Sequence, residues 1–331
     1  MRSRSDKCIW ILMRALVAIA IIVCAFIAGC ERNRRVAESK VDVAELVQRT
    51  ARTEQLIELS KVRDAPVYNA SLTLSDSLDQ FDATVRITYT NRANKPLSDM
   101  VLHVYPNSRF MVEGDEPNIR IEEILVDNRR ADYKADHAIL RITLPRELAP
   151  NKRTVVTVRY RARVPHLRRH PSDLIGMLTD AFQDLMSGKR QRPRNLGIFA
   201  TADGLVSLGL WYPVVAIYGD DGWDTLEPSP IGDFFNSEIS HFNVRITTPR
   251  DVMVVTTGID GLPRAMGDGE YEYFYNTAGA VRDFSIQCSR KFEAVSTIAH
   301  CGSGTPVRVT CYFLPNHRAP ALHALKIAAA S

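Results

Sequence analysis

The chain has 331 residues, which is enough for one large β domain or two smaller domains. It carries 42 Lys and Arg residues against 38 Asp and Glu residues, a formal net charge of +4. Residues 1–29 account for +3 of that charge, because four basic residues face one acidic residue there, and this leaves +1 for the rest (4 − 3). A nearly neutral body gives no reason to expect a nucleic-acid partner.

Residues 1–29 are typical of a secretory signal peptide. The basic segment MRSRSDK precedes an apolar run, and Ile27-Ala28-Gly29-Cys30 matches the bacterial lipobox. Small residues fit the lipoprotein signal peptidase, and the thiol of Cys30 is the group that takes the diacylglycerol. An uncleaved transmembrane helix is the alternative, because Arg14 is the single charge between Cys8 and Gly29. We expect a lipoprotein of the cell envelope that faces the periplasm or the exterior, with acyl chains as its membrane anchor.

Residues 30–64 are polar and charged, and we expect a tether with a short helix near Asp42. From Val67 the apolar period changes to two, as in FDATVRITYT, where alternate residues from Phe81 to Tyr89 are apolar or aromatic. Alternating segments separated by polar turns continue through residues 65–315. The pattern predicts a mainly β fold, either an antiparallel β-sandwich or a saddle-like large sheet.

One helical insertion interrupts the β pattern at residues 171–190. Leu174, Leu178 and Leu185 recur at helical spacing between a predicted N-cap, Ser172, and Gly188. The predicted helix either covers a sheet edge or acts as a mobile lid or partner-docking helix.

A histidine pair, His166 and His170, has the i, i+4 spacing that can chelate zinc on a helix. Leu167 stands where a metallopeptidase would carry the general base Glu. Pro165 and Pro171 flank the pair and oppose a continuous helix. We therefore interpret this segment as a basic surface turn.

Three cysteines, Cys288, Cys301 and Cys311, lie within 24 residues of one another but lack the CxxC spacing of a structural zinc site. Cys288 and Cys311 follow the inward face of their predicted strands. Buried thiols or one disulfide are the two interpretations, and a disulfide would leave one thiol free.

An acidic run lies between two β segments, and no nucleophile elbow of the Gly-x-Ser-x-Gly type accompanies it. Calcium binding is conceivable for such a run, but the EF-hand spacing is missing, and a solvated loop is the expectation. The acidic residues are Asp220, Asp221, Asp224, Glu227 and Asp233.

Two longer stretches, residues 85–108 and 208–258, are too specific for generic β structure. Trp211-Tyr212-Pro213, Ser240-His241-Phe242-Asn243-Val244 and Val281-Arg282-Asp283-Phe284-Ser285 are the segments that carry the likeness. Together they resemble the N-terminal β domain of the aminopeptidase N family of zinc metallopeptidases, especially its bacterial lipoprotein and membrane members. The resemblance implies that residues 316–331, which follow CYFLP, open a thermolysin-like catalytic domain.

The catalytic motifs of that family, Gly-x-Met-Glu-Asn and His-Glu-x-x-His, do not occur in this sequence. The resemblance therefore implies a non-catalytic part of an aminopeptidase-like protein, with zinc expected only in a catalytic domain outside this chain. In the family the β domain also lends an acidic or amide side chain to the peptide N-terminus, and Asp203 is the candidate for that role. Its expected partners are the membrane, through the lipid, and a separate catalytic domain or a peptide. The alternative is a standalone binding module on the membrane surface.

The last segment, ALHALKIAAAS (321–331), has helical spacing without a stop signal. Leu322, Leu325 and Ala329 are predicted to share its packed face. We expect this helix to be poorly held, with the catalytic domain as its packing partner.

Overall fold

The computed structural model describes residues 64–167, 197–228, 235–259, 263–266, 269–277, 280–300, 304 and 306–330. The signal segment with Cys30, the tether and the helical insertion predicted at 171–190 lie outside the described residues. So do His170, Asp233 and Cys301.

The fold is mainly β, as the alternation predicts. One α-helix, α1 (Arg318–Ala330), follows the strands. In chain order the strands are β1 (Val67–Leu74), β2 (Gln80–Thr90), β3 (Leu97–His103), β4 (Ile119–Val126), β5 (Arg129–Arg130), β6 (Tyr133–Asp136), β7 (Ile139–Leu148), β8 (Arg153–Arg163), β9 (Phe199–Ala202), β10 (Leu205–Leu208), β11 (Val214–Val215), β12 (Tyr218–Gly219), β13 (Gly222–Trp223), β14 (His241–Pro249), β15 (Met253–Thr256), β16 (Arg264–Ala265), β17 (Glu270–Asn276), β18 (Ile286–Ser289), β19 (Glu293–His300) and β20 (Pro306–Phe313).

The largest sheet has the strand order β16-β17-β14-β1-β2-β8-β4-β5. Strand β2 shows why this sheet forms. Every second residue from Phe81 to Tyr89 is buried, while Asp82 and Arg86 face solvent. This alternation is what an antiparallel sheet with one covered face requires. It also fixes the register, since a slip of one residue would turn the apolar side chains into water.

One pairing in this sheet differs from the antiparallel prediction. Strands β1 and β14 run parallel, with Val67 opposite His241 and Thr73 opposite Thr247. A parallel pair needs a long crossover between its strands, and here most of the domain lies between β1 and β14. Alternation in each strand could not reveal the direction of this pairing.

Two four-stranded sheets, in the orders β15-β18-β10-β9 and β11-β3-β7-β6, share one apolar core with the large sheet. The buried ring of Phe81 in β2 lies 6.2 Å from the ring of Phe199 in β9. The hydroxyl of Tyr68 in β1 accepts a 3.0 Å hydrogen bond from the backbone N–H of Val215 in β11. The inner face of the large sheet therefore contacts both smaller sheets.

A tight turn, Gly209–Leu210, leads out of β10 into the core. Leu210 adopts a left-handed conformation with φ of 55°, which is rare for a branched residue. The N–H of Gly209 donates to the carbonyl of Ile198 at 2.7 Å. A β-carbon at Gly209 would lie 2.6 Å from Cγ2 and 3.0 Å from the carbonyl oxygen of Ile198. The close approach of two backbones therefore requires glycine at this position.

We expect Gly209→Ala to lower the free energy of unfolding by about 1–3 kcal/mol, the usual range for forcing an extra carbon into a packed site. Gly219→Ala is the matched control, because a β-carbon at Gly219 would meet nothing within 4 Å. Urea unfolding of both variants measures the difference. Equal unfolding midpoints for the two variants would contradict the close approach at Gly209.

The hairpin β19–β20 forms a separate two-stranded sheet, and α1 packs against both of its strands. The buried residues of α1 are Ala321 and Leu325, with Ala329 half-buried. Leu322, which the spacing placed on the packed face, is 41% exposed, so that part of the prediction is wrong. The hairpin instead covers residues 321, 325 and 329, which lie at i, i+4 and i+8 along one side of the helix. No helix in the described part of the chain is both long enough and apolar enough to cross a bilayer.

We expect Leu325→Ala to destabilise the β19–β20–α1 unit by about 2 kcal/mol, because it removes a buried side chain that joins the helix to the hairpin. Ile327→Ala is the matched control on the same helix, since Ile327 is 57% exposed. Amide hydrogen exchange along α1 and β20 reports the local free energy of opening. If the two variants exchange alike, the packing of α1 on the hairpin is not what holds the helix.

Candidate functional site

The three segments that carry the family resemblance converge in one buried aromatic cluster. Trp211 and Tyr212 come from the first segment, Phe242 from the second and Phe284 from the third. The ring centroids of Tyr212 and Phe242 lie 5.2 Å apart, and those of Phe242 and Phe284 lie 5.6 Å apart. Trp211 is 0% and Phe242 is 3% exposed, as expected for the largest side chains of a β core.

Hydrogen bonds fix the positions of the Trp211 and Tyr212 rings in this aromatic cluster. The indole N–H of Trp211 donates to the carbonyl of Phe284 at 3.0 Å, and the backbone carbonyl of Trp211 accepts from the hydroxyl of Tyr160 at 2.8 Å. The hydroxyl of Tyr212 donates to Oδ1 of Asp283 at 3.3 Å. Burial raises the pKa of both Tyr212 and Asp283. The cluster therefore satisfies the polar atoms that its rings bring into the core.

The raised pKa of Asp283 predicts a pH dependence of stability. The folded chain binds the Asp283 proton more tightly than the unfolded chain, so the stability from this group is present at acidic pH and is lost as the pH rises through its folded pKa. The Asp283→Asn variant removes that loss of stability. It also keeps a side-chain oxygen that accepts the hydrogen bond from the hydroxyl of Tyr212. We expect the variant to gain stability relative to the native chain between about pH 4 and about pH 8.

Urea unfolding at both pH values measures this gain. Asp115→Asn is the control, because it makes the same chemical change at an exposed position. A stability difference for Asp283→Asn that falls with rising pH would contradict the assignment.

Asp203, the sequence candidate for contact with a peptide, lies in the two-residue turn between β9 and β10. Its φ of 54° and the φ of 87° at Gly204 are typical of a type I′ hairpin turn. Ser289 in β18 ties this turn down, because its hydroxyl donates to the carbonyl of Gly204 at 2.7 Å and accepts from the N–H of Lys291 at 3.0 Å. The turn therefore holds the exposed carboxylate of Asp203 at a fixed edge of its sheet.

A pocket of about 370 Å³ opens beside this turn. Asp203 and Lys291 line one part of it, and the segment that leads from β20 into α1 lines the rest. That segment contributes Leu314, Pro315, Asn316 and His317. The structure thus brings Asp203 together with two basic side chains that the sequence analysis did not single out. Neither Lys291 nor His317 lies in a recognisable motif, so only the three-dimensional fold could find them.

The histidine pair does not form a helical zinc motif as far as the structure describes it. His166 is exposed and lies in a parallel bridge to Thr201, where the chain is extended. Among the described residues, no three His, Cys, Asp or Glu side chains come together as metal ligands.

The two described cysteines of the C-terminal region are free thiols. Cys288 is buried in β18, and burial raises its pKa to about 12, so the thiol stays protonated and unreactive at neutral pH. Cys311 is half-buried in β20.

The acidic run forms a hydrogen-bonded loop in its described part. Asp224 accepts at 3.1 Å from the side-chain amide of Asn236 and from the N–H of Leu226. Nε2 of His103, which is 3% exposed, donates to the backbone carbonyl of Asp224 at 2.8 Å. Asp220 and Asp221 form the exposed turn between β12 and β13. The charged side chain of Asp224 therefore has a structural role, because it holds this loop in place.

No protein-family profile matches the sequence, and no curated protein matches it either. Among solved structures the chain is similar to M1 zinc metallopeptidases. A point mutant of the Deinococcus radiodurans enzyme bound to a Tyr-Ser-Ala substrate aligns at 17% identity with a TM-score of 0.47. The M1 zinc metallopeptidase from Deinococcus radiodurans aligns at 16% identity with a TM-score of 0.45. Each alignment covers 76% of this chain and 48% of the other, so the chain spans about half the length of these solved structures.

Proposed function

We propose that this chain is the lipid-anchored, non-catalytic β domain of an aminopeptidase N-like zinc metallopeptidase and that it works against a catalytic domain which binds the zinc. The aromatic cluster is the observation that carries the proposal. Three segments chosen from the sequence for their likeness to one family, and separated by up to 73 residues, meet through ring contacts and hydrogen bonds.

Helix α1 supports the presence of a further domain. It is apolar on most sides, yet only Ala321 and Leu325 are buried against the hairpin. Leu322 and Ile327 are 41% and 57% exposed, and Ile298 on β19 is 53% exposed. A helix that is apolar all round is normally buried, so we assign these exposed side chains to the contact with the catalytic domain.

The metal-binding side chains of the chain suggest which domain has which role. The described residues do not offer the three protein ligands that catalytic zinc requires, so we assign the zinc and the hydrolytic step to the catalytic domain. The β domain supplies a rigid platform. Its Asp203 carboxylate lies beside the segment that enters α1, where it could meet the amine of a peptide held between the two domains.

We expect cleavage between Gly29 and Cys30 and acylation of Cys30, because the lipobox ends the apolar run there. Mass spectrometry of the mature N-terminus should show a lipid-modified Cys30, and Cys30→Ala should block processing. Cys24→Ala, a cysteine inside the apolar run, is the matched control and should be processed normally. A membrane-bound species that keeps Met1 would refute the lipoprotein assignment.

A photo-crosslinking amino acid placed at Ile327 tests the catalytic partner. We expect the crosslinked product to contain a polypeptide with a His-Glu-x-x-His motif, identified by mass spectrometry, because Ile327 is assigned to the domain contact. The same probe at Tyr133, which is 39% exposed on β6, is the control and should give no such product. Capture of a polypeptide without that motif, or equal crosslinking from both positions, would favour the standalone binding module instead.

A further inference from the structure

The outer face of the large sheet, which is turned away from both smaller sheets, is strongly basic on four neighbouring strands. The alternation that buries Phe81 and Val85 of β2 turns Asp82 and Arg86 to this face, and strands β8, β4 and β5 continue it. Every cation that these strands present there is an arginine. The arginines are Arg86, Arg120, Arg130, Arg153, Arg159, Arg161 and Arg163, and the carboxylates are Asp82, Glu122 and Glu123.

The carboxylates near this face neutralise only some of its arginines. Arg153 pairs with Asp64 at 3.1 Å, Arg159 with Glu123 at 2.9 Å and Arg161 with Asp82 at 2.8 Å.

Four exposed arginines of the face, Arg86, Arg120, Arg130 and Arg163, make no ion pair through their side chains within the described part of the chain. Arg120 even lies directly opposite Arg161 across the β4–β8 pair. Like charges in that arrangement destabilise a sheet. The excess of positive charge on this face is therefore not explained by the stability of the fold.

The unpaired arginines are spread over an area. Arg86 lies opposite Thr157, Thr157 opposite Leu125, and Leu125 opposite Arg130. Because neighbouring strands lie about 4.8 Å apart, this row is about 14 Å wide. Arg163 lies six residues beyond Thr157 on β8, which is about 20 Å along the strand. Charges separated in this way match a layer of many small anions better than one compact anion.

The composition of the face favours a lipid surface over a protein partner. The outward residues of β2 are polar throughout, with Thr84 and Thr88 on either side of Arg86. Stable protein interfaces need apolar or aromatic anchors near their centre. Adsorption to anionic headgroups needs only basic residues close to the surface.

The N-terminal part of the chain joins the domain at this same sheet. The described residues begin at Asp64, which pairs with Arg153, and β1 starts at Val67. Cys30 precedes Asp64 by 34 positions (64 − 30). A connection of that length cannot exceed about 120 Å even when it is fully extended. A membrane anchor at Cys30 would therefore keep the basic face within that distance of the bilayer.

We propose that the outer face of β2, β8, β4 and β5 docks on an anionic membrane surface, with its four unpaired arginines against lipid phosphate groups. The guanidinium group stays charged and its N–H donors fit phosphate oxygens. An anionic leaflet attracts basic residues within about a Debye length, so a face that carries several arginines gains from all of them at once. The proposal rests on the membrane attachment in the proposed function, but it does not need the catalytic domain.

Energy transfer from a fluorescent amino acid at Gln80, which lies on this face opposite Arg163, to an acceptor on the lipid headgroups measures docking. The full chain is reconstituted into vesicles of phosphatidylcholine, or of equal parts phosphatidylcholine and phosphatidylglycerol. We expect more transfer in the anionic vesicles at about 0.15 M salt. The difference should vanish at about 1 M salt, because the screening length falls from about 8 Å to about 3 Å.

Two controls accompany this measurement. The same label at Tyr133 in β6, on one of the smaller sheets, should show no difference between the two kinds of vesicle. Either acyl chains on Cys30 or the apolar run of residues 8–29 can hold the chain in the bilayer. A failure of acylation would therefore leave the docking signal intact and is told apart from a failure of docking.

Variants assign the docking to the unpaired arginines. The double variant Arg86→Gln/Arg163→Gln should lower the docking equilibrium constant about 25-fold, about fivefold for each arginine removed. Arg86→Lys/Arg163→Lys should keep most of the docking, because it keeps the charge. Lys134→Gln/Arg146→Gln, which removes two exposed charges from a smaller sheet, is the matched control without effect.

Equal energy transfer from Gln80 in the two kinds of vesicle would overturn the proposal. So would a loss of docking in the Lys134/Arg146 variant as large as that in the Arg86/Arg163 variant. If transfer is equal and the native chain binds polyglutamate more tightly than the Arg86→Gln/Arg163→Gln variant does, the face binds an acidic protein and not a membrane.

Discussion

The hydrogen bond from the indole of Trp211 to the carbonyl of Phe284 joins two parts of the chain that are 73 residues apart. It does so inside an apolar core, where an unpaired indole N–H or carbonyl would cost about 1–3 kcal/mol. The ring and the backbone must therefore keep this one relative position. The backbone carbonyl of Trp211 accepts a hydrogen bond from the hydroxyl of Tyr160 in β8. The large sheet is therefore held to the β10–β11 connection at the same point. Trp211 thus ties the large sheet and the β10–β11 connection to the segment that precedes β18.

Much of the strand pattern follows from the sequence, because a sheet with one covered face must alternate. The sequence directly predicts that alternate residues from Phe81 to Tyr89 are buried. Strand direction could not, since Val67–Leu74 alternates equally well beside a parallel or an antiparallel neighbour. The packed face of α1 also escaped prediction. The apolar residues of α1 lie on several sides of the helix. The hairpin packs against Ala321 and leaves Leu322 exposed, and helical periodicity does not show which side of the helix the hairpin covers.

The candidate pocket shows the same limit more sharply. Asp203 was a candidate because it lies close to a motif of the resembled family, whereas Lys291 and His317 lie in no recognisable motif. Their proximity depends on the pairing of β10 with β18, which places Leu205 opposite Ser289, and on the turn that follows β20. Periodicity reports which face of a strand is buried, but it does not report which strands are neighbours. A pocket built from three separate segments is therefore a property of topology alone.

The parallel pairing of β1 with β14 has a consequence for how the domain reaches its native state. The side chains of Asn69 and Asn243, 174 residues apart, meet across this pair at 3.1 Å. The neighbouring β1–β2 hairpin joins residues that are close in sequence and can form early, but the other edge of β1 must wait until β14 is available. Closing so long a loop slows folding and leaves a strand edge unpaired in the meantime. During synthesis from the N-terminus the chain carries that open edge until β14 emerges, so protection from aggregation is needed before the last third of the chain arrives.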